Sequence, residues 1–186
     1  MTLDRILPYA KYLLHKSATK GDSVIDATCG NGFDTLFLSG LVGPGGMVYA
    51  FDVQTDAIKS TQAKLDEKKI ENVVLIHDGH EHVLKYISGE IAAAIFNLGY
   101  LPGSDKSVTT HARTTWAAVT EMLKILKKNG TIILVVYHGH ETGKIERAAI
   151  EEKISTLDAA STAVLRYEFL NKSDAPYIIA IEKTRA

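Results

Sequence analysis

Val24-Ile-Asp-Ala-Thr-Cys-Gly-Asn-Gly-Phe-Asp34 decides the fold of this 186-residue chain. An apolar strand runs straight into a glycine turn, and a helix follows over 33–41. Gly30 and Gly32 allow the backbone to pass close to a ligand that a Cβ would hold off. The free N–H groups of the following helix face the same place. Twenty residues after Gly32, Met47-Val-Tyr-Ala-Phe-Asp52 ends a second strand on a carboxylate. That spacing puts Asp52 where it can accept both hydroxyls of a ribose, so an adenosine-containing cofactor is expected.

Two residues speak against a dinucleotide. The third glycine of a dinucleotide fingerprint, needed where helix and strand pack closely, is Thr35 here. Asp26, at the end of the first strand, would repel a pyrophosphate. It suits S-adenosylmethionine, which has no phosphate and carries a sulfonium and an ammonium. The pattern Asp-x-x-x-Gly-x-Gly followed by an acidic strand end resembles that of class I S-adenosylmethionine-dependent methyltransferases. Asp34 is grouped with these cofactor-binding residues.

Outward from the turn, the chain reads as one α/β domain over residues 1–186. A helix is expected over 2–18, with Leu3, Ile6, Leu7, Ala10, Leu13 and Leu14 on one face. Strands are expected at 23–27, 47–52, 73–76, 91–96 and 131–137, alternating with helices at 33–41, 55–69, 80–87, 110–127 and 142–157. Gly130 is read as closing the 110–127 helix. Val164–Leu170 and Tyr177–Glu182 are joined by six residues, too few for a parallel crossover, so they form an antiparallel hairpin. The result is a Rossmann-like, mostly parallel seven-stranded sheet ending in that hairpin, an order that matches class I methyltransferases.

Composition is that of a globular protein, 46% hydrophobic and 23% charged with a net charge of −1. No apolar run is long enough to span a membrane, and the N-terminus lacks a signal-peptide profile. The lone Cys29 cannot form an internal disulfide and fits a reducing cytoplasm. Overall charge announces no nucleic-acid partner, which leaves that task to a local basic surface.

Ligands of open α/β sheets lie across the carboxyl ends of the strands. Those ends are Asp26, Asp52, Asp78, Asn97 and Tyr137-His138. Gln54 is within reach of the ribose or base, and Asp78 is read as meeting the adenine amino group, as capping a helix, or both. Asn97-Leu-Gly-Tyr100 resembles the Asp/Asn-Pro-Pro-Tyr signature of enzymes that methylate amino nitrogens. In those enzymes the Asn oxygen holds the amine and the aromatic ring stacks on the base. Asn97 and Tyr100 are therefore the catalytic candidates. Here Leu98-Gly99 replaces the two prolines. Lys106, Arg113, Lys144 and Arg147 lie near the substrate side, either to meet phosphates or as ordinary surface charge, and His138 lines the substrate pocket or faces solvent. His138 and His140, with only Glu141 near, make a poor zinc site, and no metal is expected.

Asp-Ala-Thr-Cys-Gly-Asn-Gly-Phe-Asp-Thr-Leu-Phe-Leu, Asn-Leu-Gly-Tyr-Leu-Pro-Gly-Ser-Asp-Lys and Tyr-His-Gly-His, with the ending Tyr-Glu-Phe-Leu-Asn-Lys…Ile-Ala-Ile-Glu-Lys, resemble a small bacterial family named for ribosomal-RNA methylation. The resemblance runs nearly the length of the chain. It implies methylation of the 5-aminomethyl group of wobble 2-thiouridine, with the anticodon stem-loop of tRNA as partner, in a cytoplasmic homodimer. It carries cofactor contact onto Asp26, Asn31, Gly32, Asp52, Gln54, Asp78 and His80. This chain departs from the family pattern at His138, where Pro is frequent, and at Ser104, where Gly is usual. Methylation of ribosomal RNA or of a small amine, and cofactor binding without catalysis, are the competing readings.

Overall fold

The computed structural model describes residues 2–99, 110–137, 141–172 and 175–185, with backbone only over 141–147. Seven strands form one sheet in the order β3-β2-β1-β4-β5-β7-β6. They are β1 (Ser23–Asp26), β2 (Met47–Phe51), β3 (Val73–Ile76), β4 (Ile91–Leu98), β5 (Leu126–Val136), β6 (Thr162–Tyr167) and β7 (Tyr177–Lys183). The first five pair in parallel, and β7 runs antiparallel between β5 and β6. The hairpin read from the short 171–176 connection is present. Strand order reverses between β1 and β4, and that reversal opens the crevice in which a ligand of such a sheet sits.

Side chains alternate across the sheet and feed two cores. On one face Ile25, Phe51, Phe96, Leu98, Leu134 and Val136 pack with α4 (Ala112–Ile125) and α5 (Glu141–Ile154). On the other, Val24, Val48, Ile95, Ile133, Val135 and Ile178 pack with α1 (Ile6–Ser17) and α2 (Phe33–Val42). α3 (Thr55–Lys68) follows β2 and packs on α2 and β3.

Three expectations need correction. The first helix begins at Ile6, not at residue 2, and Leu3 and Leu7 are exposed rather than buried. A helix from residue 2 would put Pro8 in its interior, with no N–H for the Asp4 carbonyl. In the structure that carbonyl accepts from the Tyr167 hydroxyl at 2.8 Å, which ties the chain start to β6. The segment His80–Lys85 is a 3-10 helix. Gly130 does not close α4, which ends at Ile125. The chain goes directly into β5, with Asn129 at φ +63° and a register irregularity opposite Ile91–Ala93. Gly130 sits inside that irregularity, where a Cβ would lie 2.8 Å from the Ala92 carbonyl oxygen. A glycine shortly after a helix is usually its C-cap; here it is a strand position under close backbone approach.

Candidate active site at the carboxyl ends of β1, β2 and β4

The turn after β1 holds its shape through its own neighbours. Gly32 adopts φ +79°, and the Thr61 hydroxyl of α3 donates to the Gly30 carbonyl at 3.0 Å. The Gly30 N–H donates to Asp52 Oδ2 and the Gln54 N–H to Asp52 Oδ1, each at 2.9 Å. The Asp52 carboxylate is thereby fixed across the turn, with lone pairs to spare. Asn31 Oδ1 accepts from Ser60 at 3.2 Å. A Cβ on Gly32 would lie 2.8 Å from Thr61 Oγ1 and 2.9 Å from its Cγ2. Gly32→Ala should therefore cost stability by about 1–3 kcal/mol from the left-handed backbone alone, with the displaced Thr61 adding to it. Urea unfolding at an unchanged midpoint would count against this account of the turn.

Asp26 is fully buried at the end of β1, where it accepts from Thr35 Oγ1 at 2.6 Å and the Thr28 N–H at 3.3 Å. Burial, with the charges of Asp34 and then Asp52 adding to it, pushes its carboxyl up to about 7. The Thr35 that takes the place of a third glycine is thus the hydroxyl partner of Asp26. Cys29 is buried, and burial plus the Asp26 and Asp52 charges keep it a thiol.

Asn97 stands at the end of β4, on the α1–α2 face. Its N–H donates to Thr28 Oγ1 at 2.7 Å, and its Nδ2 donates to Asp34 Oδ2 at 2.9 Å. A carboxylate only accepts, so the atom facing Asp34 is the amide nitrogen. Asn97 Oδ1 accepts no hydrogen bond from the described residues. Tyr137, at the end of β5, has its hydroxyl pKa raised by burial and by the charge of Asp34.

His80 is buried, with Nδ1 3.0 Å from the Ala27 carbonyl and its ring edge-on to Phe96 at 5.2 Å. The carbonyl requires a proton on Nδ1, so Nε2 is left as a buried acceptor without a partner among the described residues. Burial holds the ring below the usual histidine value. Asp78 is spoken for locally. It accepts from Gly79 N–H at 2.8 Å, His82 Nδ1 at 2.9 Å and Tyr86 OH at 2.8 Å. The His82 bond, with Tyr86 second, draws its carboxyl down to about 2. Those partners replace the helix-cap role expected of it.

Asp26, Gly30, Asn31, Gly32, Asp34, Asp52 and Asn97 thus gather around one turn, while Arg113 lies exposed in the first turn of α4. Tyr100, Lys106 and His138 lie outside the described residues, as do the side chains of Lys144 and Arg147. Thr28, Thr35 and Tyr137 complete the cluster. Their signal in the sequence is position alone: Thr28 just past β1, Thr35 in the first turn of α2, Tyr137 just past β5. Among the described residues no three His, Cys, Asp or Glu are placed to hold a metal ion, and no helix is long and apolar enough to cross a membrane. A separate groove lined by Ser39, Gly43, Met47, Lys69 and Asn72 lies at the amino ends of β2 and β3, away from this cluster.

Three carboxylates with no cation paired to them among the described residues, a backbone turn that a Cβ would crowd and the buried His80 Nε2 thus meet at the carboxyl ends of the parallel strands. This is the fold of class I S-adenosylmethionine-dependent methyltransferases. Solved structures agree. A Clostridium thermocellum protein superposes with a TM-score of 0.96 at 38% identity, covering 98% of this chain and 100% of that one. A Streptococcus mutans protein solved in complex with SAH gives 0.90 at 40% identity, covering 98% and 99%. Residues 48–182 match the family described as "Putative rRNA methylase", and this chain belongs to that family. A chloroplastic tRNA (mnm(5)s(2)U34)-methyltransferase of Arabidopsis thaliana is 41% identical over 175 residues, 88% of this chain and 64% of the plant protein. The chain spans less than two thirds of the length of the curated relatives it matches.

Proposed function

We propose that this chain is an S-adenosylmethionine-dependent N-methyltransferase acting on RNA, and that its target is the 5-aminomethyl group of wobble 2-thiouridine in tRNA. The observation that carries the reading is the Asn97 carboxamide, turned by Asp34 so that its oxygen is left to accept from an amine. The plant relative's substrate and the SAH in the streptococcal structure support the choice of nucleoside and cofactor. Asp26, Asp34 and Asp52 supply negative charge for a sulfonium and an ammonium. Asp52 and Gln54 take the ribose, His80 Nε2 offers an acceptor, and the Gly30–Gly32 backbone admits the ligand closely. When bound, the cofactor supplies an electrophilic methyl group. The protein's part is to hold the acceptor nitrogen in line and unprotonated, a task of positioning. In this reading Tyr100 packs on the uracil ring, and Lys106, Arg113 and His138 meet the anticodon stem-loop.

The deciding experiment is mass spectrometry of tRNA nucleosides from a strain lacking this gene. Accumulated 5-aminomethyl-2-thiouridine is the expected result, and an unchanged nucleoside profile would reject the assignment. We propose further that the protein works in the cytoplasm as a homodimer. Light scattering should then give about twice the 20.3 kDa of the chain, and a monomer mass at micromolar protein would refute the dimer.

A further inference from the structure

The charge of the chain is unevenly spread. Between residues 2 and 20 stand Arg5, Lys11, Lys16 and Lys20 against the single carboxylate of Asp4, in a chain with 21 basic and 22 acidic residues. Lys11 and Lys16 of this set ride on α1, with Arg5 just before it and Lys20 just after, and the two helical lysines are interleaved with rings. Lys11 Nζ lies 4.9 Å over Phe37 and Lys16 Nζ 5.9 Å over Tyr12. Tyr9 stacks on Tyr12 at 5.8 Å and on Tyr167 at 4.0 Å. Farther round, Phe169 packs edge-on to Tyr167 and carries Lys172 at 4.8 Å. Tyr12 is 49% exposed. Neither Lys11 nor Lys16 is paired with a carboxylate among the described residues.

The sheet register ties this patch to the acceptor carboxamide. Asn97 pairs with Val135, Val135 with Ile178 and Ile178 with Tyr167, so the four lie in one row across β4, β5, β7 and β6. Val135, Ile178 and Tyr167 belong to the core under α1 and α2, and Asn97 reaches Asp34 of α2 on that same face. Three strand spacings separate the ends of the row, about 14 Å. α1 runs from this end of the sheet, where Tyr167 holds Asp4, to the opposite end, where Ser17 donates to Thr131 at 2.8 Å. The patch therefore starts beside the catalytic row and leads away from it along one helix.

We infer that the exposed face of α1, with Tyr12, Lys11 and Lys16 and the Tyr9–Tyr167 stack at its head, is the track on which the RNA flanking the target nucleotide lies. The inference rests on the RNA reading above and names where the rest of that substrate goes. Rings with open faces stack on bases of any sequence, and lysines beside them neutralise phosphates. In this patch the lysines of α1 and the rings beside them supply that chemistry together.

The test compares wild type, Lys11→Glu/Lys16→Glu and Lys128→Glu, a charge reversal at the amino end of the sheet. Binding and methylation are followed on tRNA from the deletion strain, with cofactor affinity and mass in solution measured alongside. The double variant should bind tRNA at least tenfold more weakly. Its plot of log affinity against log salt should be shallower by about two, one for each phosphate that a lysine no longer neutralises. Cofactor affinity and mass should stay as in wild type, and Lys128→Glu should behave as wild type. Tyr12→Ala should weaken binding severalfold while Tyr12→Phe retains it. Unchanged affinity and slope in the double variant, with wild-type methylation intact, would overturn the track and leave the RNA reading standing. A double variant that loses a dimer but keeps its RNA affinity would make α1 a subunit interface and overturn the track too. A wild type that neither binds nor methylates tRNA would sink both readings.

Discussion

Asn97→Ala should lower turnover on tRNA carrying the 5-aminomethyl group by tenfold or more, with cofactor affinity nearly unchanged. An amine nitrogen must sit about 3–3.5 Å from the methyl carbon and in line with the breaking bond, and small misplacement is costly. Asn97 Oδ1 is the proposed acceptor that holds the nitrogen, and Asp34 is what keeps that oxygen turned the right way, through Nδ2 at 2.9 Å. At saturating cofactor, Asp34→Ala should then reproduce much of the Asn97→Ala loss, because the carboxamide becomes free to flip, and it should weaken cofactor binding besides. Asp34→Asn keeps an acceptor for Nδ2 and should fall between Asp34→Ala and wild type. The effect should appear in kcat rather than in KM for tRNA, since the cationic surfaces proposed to meet RNA are untouched. The rate should also rise with pH through the titration of the substrate amine, which attacks only when neutral. Wild-type turnover in Asn97→Ala would remove the carboxamide from the reaction.

The strand-end positions of the candidate residues were legible in the sequence because they follow from local pattern. An apolar run ending on Asp26, Asp52 or Asn97 places each residue at the same edge of a parallel sheet, whatever lies elsewhere. Likewise the short 171–176 connection forced an antiparallel hairpin. What was not legible depends on partners remote in the chain. Thr35 could be read as a missing glycine, but not as the hydroxyl on a carboxylate buried nine residues earlier. The Asp34–Asn97 bond spans 63 residues and the Tyr167–Asp4 bond 163, and no periodicity foretells either. Asp78 stands two residues past β3, and its bonds from His82 and Tyr86 arise because the chain there folds back as a 3-10 helix, which no local pattern announces. Apolar spacing through Leu3 and Leu7 predicts a longer first helix, but Pro8 cannot donate to the Asp4 carbonyl, and the helix begins at Ile6.

Cofactor affinity should tighten as pH rises through about 7 and then level off, and a proton should leave the protein as the cofactor binds. Asp26 is buried beside Asp34 and Asp52 with no cation paired to it among the described residues, and its carboxyl is pushed up to about 7. A folded-state value raised above the ordinary one means that Asp26 holds a proton in the cofactor-free protein between about pH 4 and 7. This burial therefore costs stability as pH climbs through that window, since the unfolded chain has already released the proton. A sulfonium and an ammonium placed against the same carboxylate favour its ionised form, which is the source of the released proton. Between pH 8 and pH 6 the dissociation constant should rise about tenfold, following the linkage of one proton to binding. Calorimetry at pH 6 in buffers of different ionisation enthalpy should count close to one proton released per cofactor bound. Asp26→Asn has the same shape but nothing to titrate. It should bind more weakly at pH 8, with an affinity nearly flat from pH 6 to 8, and it should lose less stability than wild type as pH rises from 4 to 7. Thr35→Val removes the hydroxyl that favours the ionised carboxylate and should shift the wild-type profile to higher pH. A pH profile in Asp26→Asn that matches wild type would assign the proton to another group and remove Asp26 from the electrostatics of the site.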